Sequence, residues 1–257
     1  MITTQKMTPA ADAAGARYQT FVDGLSIIYA EAIGARDAGN ASVIARAATR
    51  AYDLSRLFLE KETEAVKAAF GEIASDALSA ANDDLGSDDT LELEDAASET
   101  LSATASYLLR EITIQIERDI AQLQQAIRQT FLHARLNAQA AGTSLRRALL
   151  EHQFSSREAP AFHFRDRRNG KWPSRLFVRS TWRQALLSVF NEVTLTVLAA
   201  HGIGTAQIEH AHAKAGVHGQ LVALGSNTAL PAYGEIRNDI FHPNAEAVLR
   251  VPEQHRS

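Results

Sequence analysis

Residues 16–153 contain no proline, and their apolar residues recur at intervals of three and four positions. Proline interrupts helix interiors, and this spacing places apolar side chains on one helical face, so the stretch predicts long α-helices. After residue 153 the pattern changes, because every proline except Pro9 lies there, together with frequent glycines. We therefore expect an α+β protein with a helical region at 1–153 and a small α+β domain at 154–257.

The helical region divides at turn-forming residues. A first helix is predicted near 17–33, a second at 42–81 and a third at 90–141. The second helix is expected to bury a stripe formed by Ile44, Ala48, Tyr52, Ser55, Leu59, Val66, Phe70, Ile73 and Ala77. The third is expected to bury Leu101, Ala105, Leu108, Ile112, Ile116, Ile120, Leu123, Ile127 and Phe131. Two long amphipathic helices in succession predict an antiparallel helical hairpin.

Shorter elements are predicted on either side of residue 154. Gly142 suits the end of the third helix, and a short fourth helix is expected to run to His152. A strand is predicted at 162–164, a turn at Asn169-Gly170, and a helix from Pro173 to about residue 201. Further strands are expected around Ile208, within 217–224 and at 248–251.

Cysteine is absent, which excludes disulfides, thiolate nucleophiles and cysteine-based metal sites. No run of about 18 apolar residues is present, and the first residues lack the pattern of a signal peptide. These features predict a protein that folds in a reducing cytoplasm and is neither secreted nor embedded in a membrane.

The formal net charge of -4 hides a strong segregation along the chain. Acidic residues dominate 83–99, whereas basic residues dominate 157–183. Within the basic segment, the candidates for contact with DNA or an acidic partner are Arg165, Arg167, Arg168, Lys171, Arg175 and Arg183. The alternative is that these side chains only solvate a protein face, as charge runs usually do.

Four segments occur in a recognisable order in the C-terminal part. They are Phe164-Arg165-Asp166-Arg167-Arg168-Asn169-Gly170-Lys171-Trp172, then Phe177-Val178-Arg179-Ser180-Thr181-Trp182-Arg183 leading to His201-Gly202-Ile203, then 217–226, and last Ile240-Phe241-His242-Pro243-Asn244. In this order the segments resemble the phage minor head proteins, also described as Mu F-like head morphogenesis proteins, over about residues 162–252.

The resemblance implies a structural component of a tailed-phage head, assembled in the host cytoplasm and located in the head or neck of the virion. The implied partners are the portal, the major capsid protein and, as a further expectation, packaged DNA, with no membrane partner and no cofactor. The residues that carry the family pattern in a structural role are Trp172, Arg179, Phe241, His242, Pro243 and Asn244.

The sequence departs from its relatives after Asn244. Many relatives carry cysteines in this region, whereas this chain has Ala245, Glu246 and Ala247. We therefore expect no metal site and no catalytic activity. The alternative is a metal-dependent nuclease or toxin that uses the C-terminal histidines, which are His201, His210, His212, His218 and His242. Their spacing lacks the fixed geometry of a metal-binding helix, and neither a nucleophile elbow nor a phosphate-binding loop is present.

The two tryptophans lie beside basic residues, which is typical of stacking on nucleic acid. Trp182 has apolar residues around it at helical spacing, so we expect it in a core. Trp172 directly precedes Pro173 and is expected to act as a hydrophobic staple at the helix start. Phe241 is expected to be a core anchor.

Overall fold

A computed structural model describes residues 4–87, 93–155, 160–166, 168–212, 214–225, 229–242 and 245–256. Its long helices are α1 (Thr4–Gly34), α2 (Ala41–Leu85), α3 (Leu93–Ala141) and α5 (Ser174–Ala200), and its shorter ones are α4 (Leu145–Ser155) and α6 (Tyr233–Ile240). The strands are β1 (His163–Arg165), β2 (Lys171–Pro173), β3 (Thr205–His210), β4 (Leu221–Ala223) and β5 (Ala247–Arg250), and a 3₁₀ turn covers Glu253–His255. The predicted α+β class, with long helices preceding a small mixed region, is confirmed.

The first helix is longer than predicted. It begins at Thr4 rather than near residue 17 and contains Pro9, which removes one backbone hydrogen bond from the helix. Met7, Ala11 and Ala14 in this early part are buried. Burial of these side chains offsets the local cost of proline, which the sequence pattern alone does not reveal.

The buried stripe of α2 differs from the prediction in its first half. Val43, Ala47, Ala51 and Phe58 are buried, whereas Tyr52 is 54% exposed. The buried face includes Glu62, although apolar periodicity alone predicts no carboxylate on that face. From Val66 onward the predicted and observed stripes agree. In α3, Leu108 and the six predicted apolar residues after it are all buried, as predicted.

The chain forms two compact units, each built from segments that are distant in sequence. One consists of Met1–Ala14, Thr63–Arg110 and Arg179–Ser257, and we call it the sheet unit. The other consists of Gly15–Glu62 and Glu111–Val178, and we call it the helical unit. Helices α1, α2, α3 and α5 each contribute to both, and the boundary proposed at residue 153 stays a prediction.

The sheet unit contains a three-stranded antiparallel sheet in the order β4-β3-β5. Its core includes Val197, Ile208, Val222, Phe241 and Leu249. The side chain of Asn191 on α5 accepts a hydrogen bond from the backbone N–H of Leu249 at 2.9 Å. This buried side chain satisfies a backbone N–H donor of the edge strand β5. The hydrogen bond thereby links the helix to the sheet.

In the helical unit, α1 contacts α2 and α3. Tyr18 packs edge-on against Phe58 of α2, with ring centroids 5.5 Å apart, and its hydroxyl hydrogen-bonds Asp119 of α3. The predicted direct hairpin of α2 with α3 stays a prediction. Across the described ranges, no helix is both long and apolar enough to span a membrane.

Candidate functional site

The basic turn of the helical unit is a tight antiparallel hairpin of β1 and β2. Arg165 lies directly opposite Lys171, and Phe164 lies opposite Trp172. The connecting turn contains Asn169 with a φ of 62°, a left-handed conformation that asparagine tolerates better than most residues. The predicted turn at Asn169-Gly170 is therefore present and brings two cations side by side.

The Asp166 carboxylate organises this turn. Oδ2 accepts a hydrogen bond from the Trp172 indole Nε1 at 2.9 Å. Oδ1 accepts from the backbone N–H groups of Gly170 at 2.7 Å and Arg168 at 2.9 Å. The indole hydrogen bond, followed by that from Gly170, holds the pKa of Asp166 below its usual value, because both stabilise the charged form. The turn is thus fixed by an ionised carboxylate.

The hairpin is joined to α3 by a side-chain amide that hydrogen-bonds both backbone groups of one strand residue, as a neighbouring strand does. Gln122 donates from Nε2 to the backbone carbonyl of His163 at 2.8 Å, and its Oε1 accepts from the His163 backbone N–H at 3.3 Å. Phe164 stacks on Phe177 of α5 with centroids 4.6 Å apart, and the Arg118 guanidinium lies 5.9 Å from the Phe164 ring centroid. These contacts hold the hairpin in a defined position beside α3.

A groove of about 840 Å³ runs between α3 and the hairpin. We call it the basic groove; its lining residues are Arg118, Ala121, Gln122, Gln125, Ala126, Gln129, Pro160, Ala161, His163, Phe164, Arg165 and Lys171. None of these lining residues is acidic, while three are permanent cations. The chemistry of the basic groove therefore suits an anionic ligand.

The predicted basic residues separate into two groups. Arg165 and Lys171 line the basic groove, and Arg168 and Arg175 are exposed in the same unit. Arg167 lies outside the described residues. In the sheet unit, Arg179 forms an ion pair with Asp12, and Arg183 donates to the backbone carbonyl of Ala245 at 3.2 Å. The last two side chains are thus engaged in contacts within their own unit.

The two tryptophans differ in environment. Trp182 is buried, and its ring meets that of Phe70 edge-on at 6.4 Å. Trp172 is 51% exposed and is oriented by its hydrogen bond to Asp166. The structure places Trp182 in a core, as expected. An indole this exposed is not packed as the staple we expected, because the turn holds it towards solvent.

The C-terminal family pattern is described only in part. Phe241 is buried in the core of the sheet unit, with its ring centroid 5.7 Å from that of Tyr233. His242 lines a second groove, of about 790 Å³, together with Glu192 and Arg237. Pro243 and Asn244 lie outside the described residues. The part that is described supports a core-packing role for Phe241.

The ring nitrogens of three C-terminal histidines contact nearby backbone N–H groups or a carboxylate. His218 Nδ1 accepts from the His210 backbone N–H at 3.1 Å, and His210 Nδ1 accepts from the His212 backbone N–H at 3.0 Å. His212 Nε2 lies 3.1 Å from Glu246 Oε2. Among the residues that the structure describes, no group of three histidine or carboxylate side chains is arranged to hold a metal ion. The nuclease alternative therefore has no metal centre in this described part.

Sequence reasoning missed the contribution of α3 to the groove. Arg118, Gln122, Gln125 and Gln129 follow one another at intervals of four, three and four residues, which places them on one helical face. That spacing was a usable signal. The apolar stripe on the opposite side gives the stronger periodic pattern in this helix.

No protein-family model, curated protein or solved structure matches this chain significantly. The resemblance to phage minor head proteins therefore stays a prediction.

Proposed function

We propose that this protein is a minor head protein of a tailed phage or a prophage-like particle, and that it acts by binding rather than by catalysis. Its partners in this proposal are the portal or the major capsid protein, together with packaged DNA. It works in the head or neck of the virion.

One observation carries this proposal, namely the rigid presentation of the basic hairpin. Arg165, Arg168 and Lys171 are exposed on a turn that three hydrogen bonds to Asp166 hold in place. Ordering flexible cations costs conformational entropy when a partner binds, and a preformed turn reduces that cost. A surface that only needs solvation has no requirement for such order.

The order of the four segments between residues 162 and 252 is the reason for proposing a minor head protein in particular. The resemblance rests on those segments, and two of them coincide with ordered features of the structure. The first segment forms the basic hairpin, and Phe241 of the last is a buried anchor of the sheet unit. Both kinds of feature suit a compact protein that offers a charged surface to a partner.

The experiment is a charge reversal in the particle. Arg165, Arg168 and Lys171 are changed together to Glu, and purified particles are analysed for the amount of this protein and for infectious titre. We expect reduced incorporation, reduced DNA retention, or both, because a contact with phosphates or acidic side chains becomes repulsive. The isolated variant is expected to remain folded, because exposed charges contribute little to stability.

A matched control changes Arg56, Arg110 and Arg147 to Glu, which alters the net charge equally at exposed positions on helices. The control is expected to give wild-type particles. Wild-type incorporation and titre for the hairpin variant contradict the proposed contact. Absence of the protein from purified wild-type particles contradicts the proposed function as a whole.

A further inference from the structure

We propose that the basic groove and two exposed leucines beyond it form a docking site for an extended segment of a partner protein, with carboxylates at one end of the segment and two apolar side chains at the other. The carboxylates contact Arg118, Arg165 and Lys171, and the apolar side chains pack on Leu132 and Leu136. The inference rests on the proposed function and deepens it, because it names the chemistry of the portal or capsid segment that is recognised and assigns the groove to protein rather than to DNA.

The outer face of α3 continues the basic groove as a single stripe. Arg118, Gln125 and Gln129 line the groove, and Leu132 and Leu136 follow Gln129 at intervals of three and four residues. At about 100° of rotation per residue, these five side chains fall within an arc of about 60°, on the side opposite the buried stripe of the helix. A segment that lies in the groove and leaves it past Gln129 therefore meets both leucines.

The outer surface of this half of α3 is basic. From residue 118 to residue 141 the only carboxylate is that of Asp119, and its side chain is buried. Arg118 and Arg128 are exposed on the same stretch, and Arg165 and Lys171 of the hairpin line the groove beside Arg118. Interfaces bring opposite charges together, and like charges across them are unfavourable. The end of the partner segment that enters the groove is therefore acidic.

The two leucines distinguish a protein partner from a nucleic acid. Leu132 is 56% exposed and Leu136 is 53% exposed, on a helix face that usually carries polar side chains. Apolar side chains of a partner gain free energy by packing on them. A nucleic acid backbone offers charge to the arginines, and leucine lacks the ring face on which bases stack. Only a protein segment uses both the cations and the leucines.

The shape of the groove favours an extended chain. The groove of about 840 Å³ is a concave space between α3 and the hairpin, which a single chain can enter and a flat lipid surface cannot. Gln125 and Gln129 are exposed, and each amide offers two donor hydrogens and one acceptor oxygen. An extended main chain presents the matching C=O and N–H groups, whereas a helix uses most of these groups internally.

The spacing of the site sets the spacing of the ligand. Arg118 and Leu132 are fourteen helical rises apart, or about 21 Å, which an extended chain covers in about six residues. Leu132 and Leu136 are separated by about 6 Å along the helix, close to the distance of about 7 Å between alternate residues of an extended chain. We therefore expect a group of carboxylates and, about six residues away, two apolar residues at positions i and i+2.

The test measures binding of labelled peptides to the whole chain by fluorescence anisotropy. The leucine probe consists of four glutamates, four neutral residues and two leucines separated by a serine, and it is prepared in both chain orders. The serine probe has serine in place of both leucines. The leucine probe in its tighter-binding order is expected to bind at least about tenfold more tightly than the serine probe, because its leucines leave water. Equal affinities overturn the proposed site.

Two double variants locate the apolar contact. Leu132→Ser combined with Leu136→Ser is expected to abolish the preference for the leucine probe and to leave the affinity for the serine probe unchanged. Ile27→Ser combined with Leu57→Ser is the control, because it removes two other side chains that are more than half exposed, and it is expected to preserve the preference. Both variants are expected to remain folded. A preference that survives the loss of Leu132 and Leu136 contradicts the site.

The acidic end is tested by changing Arg165 and Lys171 to Gln. This variant is expected to weaken both probes by the same factor, about fivefold, and to keep their affinity ratio, because the cations and the leucines act at separate places. Changing Arg56 and Arg147 to Gln removes the same charge outside the groove and is expected to leave both affinities unchanged. Equal effects of the two charge variants contradict contact of the carboxylates with the groove.

Three further outcomes identify another occupant and overturn the proposal. A DNA 20-mer, single-stranded or duplex, that binds more tightly than the leucine probe and loses this binding in the Arg165 and Lys171 variant assigns the groove to nucleic acid. Co-sedimentation with phosphatidylglycerol vesicles that the Leu132 and Leu136 variant abolishes assigns the face to a lipid surface. Dimerisation of the protein alone that the same leucine variant abolishes assigns the face to a second copy.

Failure of this inference is distinguishable from failure of the proposed function. A protein that enters particles but does not prefer the leucine probe contradicts the docking site alone. A protein that prefers the leucine probe but is absent from particles contradicts the proposed function alone.

Discussion

The Tyr18 hydroxyl donates a hydrogen bond to the Asp119 carboxylate at 2.8 Å, across 101 residues of sequence and within a buried part of the helical unit. Ser174 donates to the same carboxylate at 2.8 Å, and the Gln115 amide donates at 2.9 Å. A carboxylate on α3 is thus surrounded by donors from α1, α3 and the start of α5. This cluster ties the elements that support the basic groove.

Asp119 makes the stability of the protein depend on pH. Burial raises the pKa of Asp119 to about 6, although hydrogen bonds from Tyr18, Ser174 and Gln115 and the nearby His163 oppose the increase. The folded-state pKa lies above the unfolded value, so the folded protein binds the proton more tightly. The stabilisation from this group is complete below about pH 4, the unfolded pKa, and is lost as pH rises through about 6.

We therefore expect Asp119→Asn to remove part of the pH dependence of unfolding. Asparagine retains the shape and one acceptor oxygen without the charge, so the stability of the variant relative to wild type is expected to rise by up to about 3 kcal/mol between pH 4 and pH 8. Urea unfolding at several pH values measures this difference. Asp119→Leu is the control, because it leaves the donors unsatisfied and is expected to be destabilised throughout. Parallel pH profiles for wild type and Asp119→Asn contradict the assignment.

Removing Arg17 and removing Glu62 from their ion pair are expected to cost different amounts of stability. The Glu62 side chain is fully buried, whereas that of Arg17 is 34% exposed, and Arg17 Nε lies 2.8 Å from Glu62 Oε2. Arg17→Met leaves a buried carboxylate without this cation and is expected to cost about 3 kcal/mol. Glu62→Gln removes the buried charge and is expected to cost less. Chemical denaturation of both variants provides the measurement, and an equal or reversed order disproves the asymmetry.

Gly170 is expected to be required by the turn. A Cβ at this position lies 2.9 Å from the Asp166 carboxylate, which its hydrogen bonds prevent from moving freely. Gly170→Ala is expected to destabilise the hairpin by about 1 kcal/mol, as overpacking does elsewhere. Gly71→Ala is the control, since nothing lies within 4 Å of its Cβ and alanine favours a helix by about 0.5–1 kcal/mol. Thermal unfolding should shift in opposite directions for the two variants.

Phe241 is expected to be a major core residue of the sheet unit. Its side chain is 1% exposed and packs beside Tyr233. Phe241→Ala is expected to cost about 3–5 kcal/mol, through lost burial and the cavity left behind. Tyr107→Ala removes an aromatic ring that is 58% exposed, and we expect a change within about 0.5 kcal/mol. Comparable losses in urea unfolding for both variants contradict a core role specific to Phe241.

Several features of this protein were decided by local sequence. Gly142 ends α3 with a φ of 60°, a conformation that glycine adopts without strain. The long helices follow from the uninterrupted apolar spacing, and the hairpin turn follows from Asn169 and Gly170. These predictions succeeded because backbone preferences and the period of one helix act over a few neighbouring residues.

Other features were decided only by tertiary structure. The buried face of α2 passes through Glu62 because Arg17 of another helix neutralises it, and Asp119 is buried because Tyr18 and Ser174 supply donors. The basic groove combines Arg165 and Lys171 with Arg118, which precedes them by more than 40 residues. Burial of charge and convergence of distant cations depend on which helices pack together, and that packing is a property of the whole fold rather than of any one segment.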